Sequence, residues 1–81
     1  MKAKIYISYK EGILDPQGKT VNHALDAIGI GKINSVRMGK YIEIDFNDIS
    51  RDKASEITDE SCRKLLANPN TETYTLSLIH I

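Results

Sequence analysis

Few side chains in this sequence are of the types that carry out catalysis. One cysteine, Cys62, and two histidines, His23 and His80, supply the only thiol and imidazole groups, and they are widely separated in the chain. No Cys/His cluster has the spacing of a zinc site. Cys62 falls on the apolar stripe of a predicted helix, where a free cysteine behaves as a small hydrophobic residue. Nucleophilic catalysis and metal binding by this chain are therefore not expected.

A pair of carboxylates has the spacing of an acid/base couple. Glu43 and Asp45 lie two residues apart, which puts both on one face of a strand. The same spacing would supply half of a metal site, but strict alternation of polar and apolar residues explains the pair as part of a solvent-facing or intersubunit surface. The sequence therefore predicts no catalytic residue, no metal site and no cofactor bound by this chain.

One candidate binding loop precedes the first helix. It consists of Asp15, Pro16, Gln17 and Gly18. Asp can cap free backbone N–H groups, and Pro is tolerated at the first helical position. A helix N-terminus can also receive an anion or a carboxylate of a partner, so a plain capped helix start and a binding loop both remain open.

A second candidate is a basic corner. Arg37, Gly39 and Lys40 stand next to Tyr41, and these cations could bind a phosphate or form a salt bridge with a partner. A solvated hairpin turn is the alternative.

Composition restricts the class of protein. The 81 residues suffice for one small domain, 1–81, and a core of this size gains from self-association. Eleven basic and eleven acidic residues give zero net charge, which argues against nucleic-acid binding. The N-terminus alternates polar and apolar residues, unlike a signal peptide, and no run is long enough for a membrane span. A cytoplasmic location is the simplest interpretation.

Periodicity predicts the elements that position these residues. Alternation from Ala3 to Tyr9 predicts a strand, and Val21, Ala24, Leu25 and Ile28 have the spacing of one helix face. Residues 32–38 and 41–46 are predicted as two strands of a hairpin that reverses at Gly39-Lys40. A second helix follows the candidate caps Asn47, Asp48 and Ser50; its stripe is Ala54, Ile57, Ser61, Cys62 and Leu65.

The last strand follows a helix stop at Asn68-Pro69-Asn70, and Tyr74, Leu76 and Leu78 alternate in it. Ile79 and Ile81 continue on the opposite phase, which suggests a bulge or a two-sided apolar end.

The element order βαββαβ predicts an α+β, ferredoxin-like fold. Its four-stranded antiparallel sheet would carry both helices on one face. The other face would lack cover of its own and could pack on a second copy, so at least a homodimer is expected. Alternation assigns the following residues to this oligomer face: Tyr6, Ser8, Tyr41, Glu43, Asp45, Thr75, Ser77 and Ile79.

Three segments together resemble the PurS family. They are DPQGKTVNHAL at 15–25, VRMGKYIEI at 36–44 and CRKLLANPNTETY at 62–74, and the similarity in order and spacing extends over nearly the whole chain.

This resemblance implies a non-catalytic subunit of phosphoribosylformylglycinamidine synthase, an ATP-dependent carbon–nitrogen ligase of purine biosynthesis. Its partners would be the glutaminase PurQ and the synthetase PurL, with ATP and magnesium bound by the synthetase. The subunit would bridge the two and support ammonia transfer. Residues 15–18, Arg37, Gly39, Lys40 and Tyr41 would provide loop geometry or partner contacts.

Two other classes share this element order. An RNA-recognition module has the same size, but Glu43 and Asp45 beside Tyr41 would repel phosphates. A stand-alone metabolite sensor would use the basic corner of Arg37 and Lys40 for an anionic ligand.

Overall fold

A computed structural model describes residues 1–79 of the chain. It contains three strands and two helices: β1 (Lys2–Tyr9), α1 (Pro16–Ala27), β2 (Gly39–Asp45), α2 (Arg51–Ser61) and β3 (Glu72–Ile79). A π-helical turn, Cys62–Leu66, extends α2. The α+β class and both helices agree with the sequence prediction, whereas His80 and Ile81, part of the predicted apolar end, lie outside the described residues.

The strands form one antiparallel sheet of order β2-β1-β3. Ile5 in the central strand is opposite Ile42 on one side and Leu76 on the other, so three apolar residues align across one face. The alternation seen in the sequence sets this register, because a slip of one residue would turn every apolar side chain to the opposite face. β3 runs to Ile79, which is opposite Lys2, so the described part of the strand has Leu78 on the core face and Ile79 on the uncovered face.

The core lies between the sheet and α2. Ile5, Ile7 and Cys62 are buried, and Ala67 closes the cluster. Ser50 caps α2 by accepting the amide of Lys53 at 3.2 Å, which selects one of the three predicted cap candidates.

The predicted hairpin over 33–46 is wrong. Residues 31–38 form no strand within this chain, and Gly39 is the first residue of β2 instead of a turn residue. Two contacts hold the end of this segment away from a hairpin: the Met38 amide donates to Asp15 at 2.7 Å, and Arg37 donates to the Tyr9 carbonyl at 2.7 Å. The sheet described in one chain therefore has three strands instead of the predicted four.

The prediction of two helices on one sheet face is also corrected. α2 packs on β1 and β3, but α1 has no comparable contact with any strand or helix. α1 instead projects from the sheet, and the chain measures 50 × 28 × 15 Å with a radius of gyration of 16.2 Å. A compact chain of this length has a radius of about 12 Å.

Candidate assembly surfaces

The junction between α1 and the sheet depends on the Asp15 carboxylate. One oxygen accepts the Gly18 amide at 2.9 Å, as a helix cap does, and the other accepts the Met38 amide at 2.7 Å. These two amides, Gly18 first, hold the pKa of Asp15 below its usual value. The sequence predicted the cap. The contact between Asp15 and Met38 spans 23 residues, so no local sequence pattern indicated it.

Gly18 allows the chain to pack closely at this junction. A Cβ at this position would lie 2.1 Å from the Val36 carbonyl oxygen, so only glycine fits. Gly18 is also the one buried residue of α1 within the described structure. Asp15 and Gly18 therefore hold α1 in contact with the segment that leads into β2.

Pro16 and Gln17 lie on the surface beside this junction. Together with Thr20, Val21 and Met38 they line a shallow, mainly apolar groove of about 420 Å³. A groove of this kind is better suited to apolar packing than to binding a polar ligand.

The basic corner is held by contacts inside the chain. Arg37 donates to the Tyr9 carbonyl, and Lys40 lies 3.6 Å from the Glu72 carboxylate. Gly39 does not turn the chain; a Cβ there would lie 2.6 Å from the Ile7 carbonyl oxygen, so glycine permits β2 to approach β1. Because both cations already have oxygen partners, this corner is poorly suited to an anion.

The eight residues that the sequence assigned to an oligomer face lie together on one face of the sheet. All eight predicted residues are exposed on the side of the sheet opposite α2: Tyr6, Ser8, Tyr41, Glu43, Asp45, Thr75, Ser77 and Ile79.

Two tyrosines lie at the centre of this face. The rings of Tyr6 and Tyr41 are 5.0 Å apart between centroids and tilted by 38°. The Tyr41 hydroxyl donates to Glu43 at 2.6 Å, and this hydrogen bond is the main reason why the pKa of Tyr41 is raised to about 12. The same bond, followed by the contact with Lys2, lowers the pKa of Glu43.

Two lysines of this face were not predicted from the sequence. Lys2 and Lys4 have the same phase as Tyr6; Lys4 is opposite Glu43 in the sheet, and Lys2 lies 3.2 Å from the Glu43 carboxylate. The alternation that selected Tyr6 could have found them. Their charges balance the carboxylates of β2, so the face is amphipathic and has mixed charge.

Chemically reactive groups are sparse in the described residues. Within 1–79 no group of three or more His, Cys, Asp or Glu side chains could hold a metal ion. Cys62 is buried, and burial, with a smaller effect of Asp59, raises the pKa of its thiol. His23 lines a polar pocket of about 210 Å³ with Asp26 and Lys32, and the lining of this pocket includes no serine, threonine or cysteine. Neither α1 nor α2 has the length and apolar character to cross a membrane.

Comparison with known proteins decides the family. Residues 2–80 match the family model described as "PurS: Phosphoribosylformylglycinamidine (FGAM) synthase". The chain belongs to the PurS family. The PurS subunit of phosphoribosylformylglycinamidine synthase from Bacillus subtilis is 44% identical over 73 residues, which cover 90% of this chain and 86% of that protein.

Solved PurS structures share the shape of the whole chain. PurS from Methanocaldococcus jannaschii superposes with a TM-score of 0.87 at 35% identity, covering 99% of this chain and 96% of that one. A chain in the structure of PurLQS from Thermotoga maritima gives a TM-score of 0.82 at 30% identity, covering 94% and 93%. Because coverage is nearly complete, the likeness to PurS includes the projecting α1.

Proposed function

We propose that this chain is the small, non-catalytic subunit of a phosphoribosylformylglycinamidine synthase in purine biosynthesis. The observation that carries the proposal is the PurS family match over residues 2–80. The scarcity of reactive groups among the described residues agrees with a role in assembly. The chain would bridge the glutaminase PurQ and the synthetase PurL in the cytoplasm.

The chemistry belongs to the partners in this proposal. The glutaminase releases ammonia, and the synthetase uses ATP and magnesium to convert formylglycinamide ribonucleotide to its amidine. This chain contributes surfaces that keep the two enzymes together while ammonia passes between them.

Self-association is part of the proposal. The uncovered face around Tyr6 and Tyr41 combines two half-exposed aromatic rings with small hydroxyl groups, a composition that suits a contact between subunits. We assign this face to contacts between copies of the chain. The fourth strand of the ferredoxin-like sheet is, in this proposal, also supplied by a second copy.

The two alternative functions have less physical support. On the uncovered face Glu43 and Asp45 are balanced by Lys2 and Lys4, so these four side chains give no net positive charge that would attract RNA phosphates. The metabolite-sensor alternative needs free cations at the basic corner, but Arg37 and Lys40 are paired with Tyr9 and Glu72.

The test is reconstitution with the candidate glutaminase and synthetase. The tagged chain should retain both enzymes in a pull-down, and synthesis with glutamine as the nitrogen donor should require it. Activity with ammonium chloride should depend on it less, because free ammonia needs no transfer between subunits. Glutamine-dependent activity that is unchanged without the chain would refute the proposal, whereas salt-sensitive binding of single-stranded RNA would favour the alternative.

Two variants connect this test to the uncovered face. Tyr41→Asp adds a third carboxylate beside Glu43 and Asp45 and should weaken assembly. Glu56→Lys changes charge on α2, where the side chain is 69% exposed, and should leave assembly intact.

A further inference from the structure

The polar pocket beside His23 lies at the C-terminal end of α1, and we call it the α1-end pocket. Its volume is about 210 Å³, and its polar lining comes from Asn22, His23 and Asp26 of α1 and from Lys32 of the segment that follows. Small-molecule sites usually enclose roughly 300–1,000 Å³, so this pocket suits a ligand of about the size of an amino acid.

The turn that ends α1 forms one wall of the α1-end pocket. The Gly29 amide donates to the Asp26 carbonyl at 3.1 Å, and the Ile30 amide donates to the Leu25 carbonyl at 3.0 Å. Gly29 has a φ of 90°, so these two bonds form the glycine cap in which the chain folds back over the last turn of a helix. This cap brings residues 30–33 beside Asp26 and closes the pocket.

The position of Asp26 is unfavourable for the helix by itself. Asp26 lies in the last turn of α1, where the free carbonyl groups carry a partial negative charge, and this turn contains no basic residue. A carboxylate there destabilises the helix, whereas a cation would stabilise it. Within residues 1–79 Asp26 forms no ion pair that offsets this cost. The carboxylate and the helix end together therefore attract a positively charged group to this side of the pocket.

Lys32 is held in a backbone conformation that costs free energy. Its φ is 65°, and among residues 1–79 it is the one residue other than glycine with a positive φ. The cap at Gly29 does not require a second left-handed residue, because its two hydrogen bonds end at Ile30. Strained residues of this kind are concentrated at binding sites. In this conformation Lys32 forms part of the pocket lining and supplies a positive charge to it.

The two opposite charges of the pocket do not neutralise each other. Asp26 and Lys32 line the same cavity, yet in the described part of the chain they form no ion pair with each other or with any other residue. A ligand with a single charge would be attracted by one of them and repelled by the other. A zwitterion satisfies both, because its ammonium group can face Asp26 while its carboxylate faces Lys32.

We propose that the α1-end pocket binds a small zwitterion, an α-amino acid with a polar side chain. Asp26 and the end of α1 receive its ammonium group, Lys32 receives its carboxylate, and the Asn22 amide and the His23 imidazole contact its side chain. This site goes beyond the assembly role in the proposed function. Because the charged side chains are exposed, the affinity is modest, with a Kd of about 0.1–1 mM.

The first test compares a zwitterion with its two halves. Calorimetric titration of the full chain with L-asparagine should show saturable binding, and the amide NMR shifts that accompany it should be largest over residues 22–33. Propionate and ethylammonium each carry one of the two charges and should bind at least about fivefold more weakly. Absence of saturable binding of L-asparagine, or equal affinity for one of the halves, would overturn the proposal.

The same titration of variants assigns the two charges. Asp26→Asn and Lys32→Asn each remove one charge, and asparagine tolerates a positive φ, so the turn at residue 32 is kept. Each variant should bind L-asparagine at least about fivefold more weakly. Glu56→Gln and Lys53→Gln are matched controls that remove the same charges from α2 and should bind as wild type does. Wild-type affinity in either pocket variant, or equal losses in the controls, would contradict the site.

The stability of the unliganded chain provides a second test. Asp26→Asn removes a carboxylate from the helix end, and Lys32→Gly relieves the positive φ, so both variants should unfold at a higher urea concentration than wild type. Both should also lose binding of L-asparagine. If neither midpoint rises, these residues are not held at a cost to stability, and the proposal fails.

These measurements require neither partner enzyme. If the chain binds L-asparagine but reconstitution fails, the proposed function is wrong and the pocket stands. If reconstitution succeeds but no amino acid binds, the assembly role stands and the proposed site is wrong.

Discussion

Glycine has a steric role at two residues of this chain. Gly18 faces the Val36 carbonyl and Gly39 faces the Ile7 carbonyl, each so closely that a methyl group would overlap backbone oxygen. Neither has a positive φ, so the reason is space and not backbone conformation. Gly18 lets α1 approach Val36, and Gly39 lets β2 approach β1.

Gly18→Ala should therefore destabilise the junction of α1 with residues 36–38. Relief of a 2.1 Å contact with backbone requires a shift of the whole helix, which we expect to cost about 2 kcal/mol in the free energy of unfolding. Gly31→Ala is the matched control, because its Cβ would meet no atom within 4 Å. Urea denaturation of both variants measures the difference; equal stability would contradict the close packing at Gly18.

Asp15 should make the stability of the junction between α1 and the sheet depend on pH. Its pKa is lowered in the folded chain, so the carboxylate contributes stability above its unfolded pKa of about 3.9 and loses it as pH falls through the lower folded value. Asp15→Ala should be less stable than wild type at neutral pH, and the difference should shrink in acid. Denaturation at pH 7 and at pH 2 to 3 measures it; a constant difference would contradict this role.

At the scale of elements, the turn that follows α2 is not a regular α-helical turn. The predicted stripe included Leu65, yet Leu65 is 82% exposed and Leu66 packs against the core. The cause is the π-helical turn Cys62–Leu66, in which the Ala67 amide donates to the Cys62 carbonyl five residues back. One extra residue per turn rotates Leu65 outward and Leu66 inward.

This turn predicts effects of different size on stability for two neighbouring leucines. Leu66→Ala should lower the free energy of unfolding by about 2 kcal/mol, because it removes packing from the core. Leu65→Ala should change it by less than about 0.5 kcal/mol, as for other exposed positions. Thermal denaturation of both variants is sufficient, and the reverse order of stabilities would indicate a regular α-helix.

The uncovered face of the sheet has its own pH dependence. The pKa of Tyr41 is raised to about 12, so its hydrogen bond to Glu43 contributes stability below the unfolded pKa of about 10, and this contribution is lost as pH rises through about 12. Subtracting the alkaline absorbance titration of Tyr41→Phe from that of wild type should leave a transition near 12. A difference centred near 10 would show that the hydrogen bond is absent.

At the scale of the molecule, elongation is the dominant feature. A chain with a 16.2 Å radius of gyration and an uncovered helix has a small core for its length, so folding and association should be coupled. Unfolding should therefore require more denaturant at higher protein concentration. A hundredfold increase in concentration should add about 2.7 kcal/mol to the apparent stability of a dimer, and a midpoint that is independent of concentration would contradict the coupling.

The sequence by itself determined what local patterns encode. Alternation placed Ile5 and Ile7 in the core and Tyr6 and Ser8 on the opposite face, because a strand has a strict two-residue period. The motifs at 15–25, 36–44 and 62–74 identified the family. The cap at Asp15 was also predictable, because Asp15 and the Gly18 amide that donates to it are only three residues apart.

Only the tertiary structure decided how the chain passes Gly39. A chain that turns back at Gly39 and one that continues straight through it would have the same apolar residues in 33–46. The local pattern favours the hairpin, because Gly-Lys resembles a turn. The Met38 amide and the Arg37 side chain instead bind Asp15 and Tyr9, and these contacts span 23 and 28 residues. Contacts of that separation depend on the arrangement of whole elements, so the three-stranded sheet and the projecting α1 could not be found from local sequence.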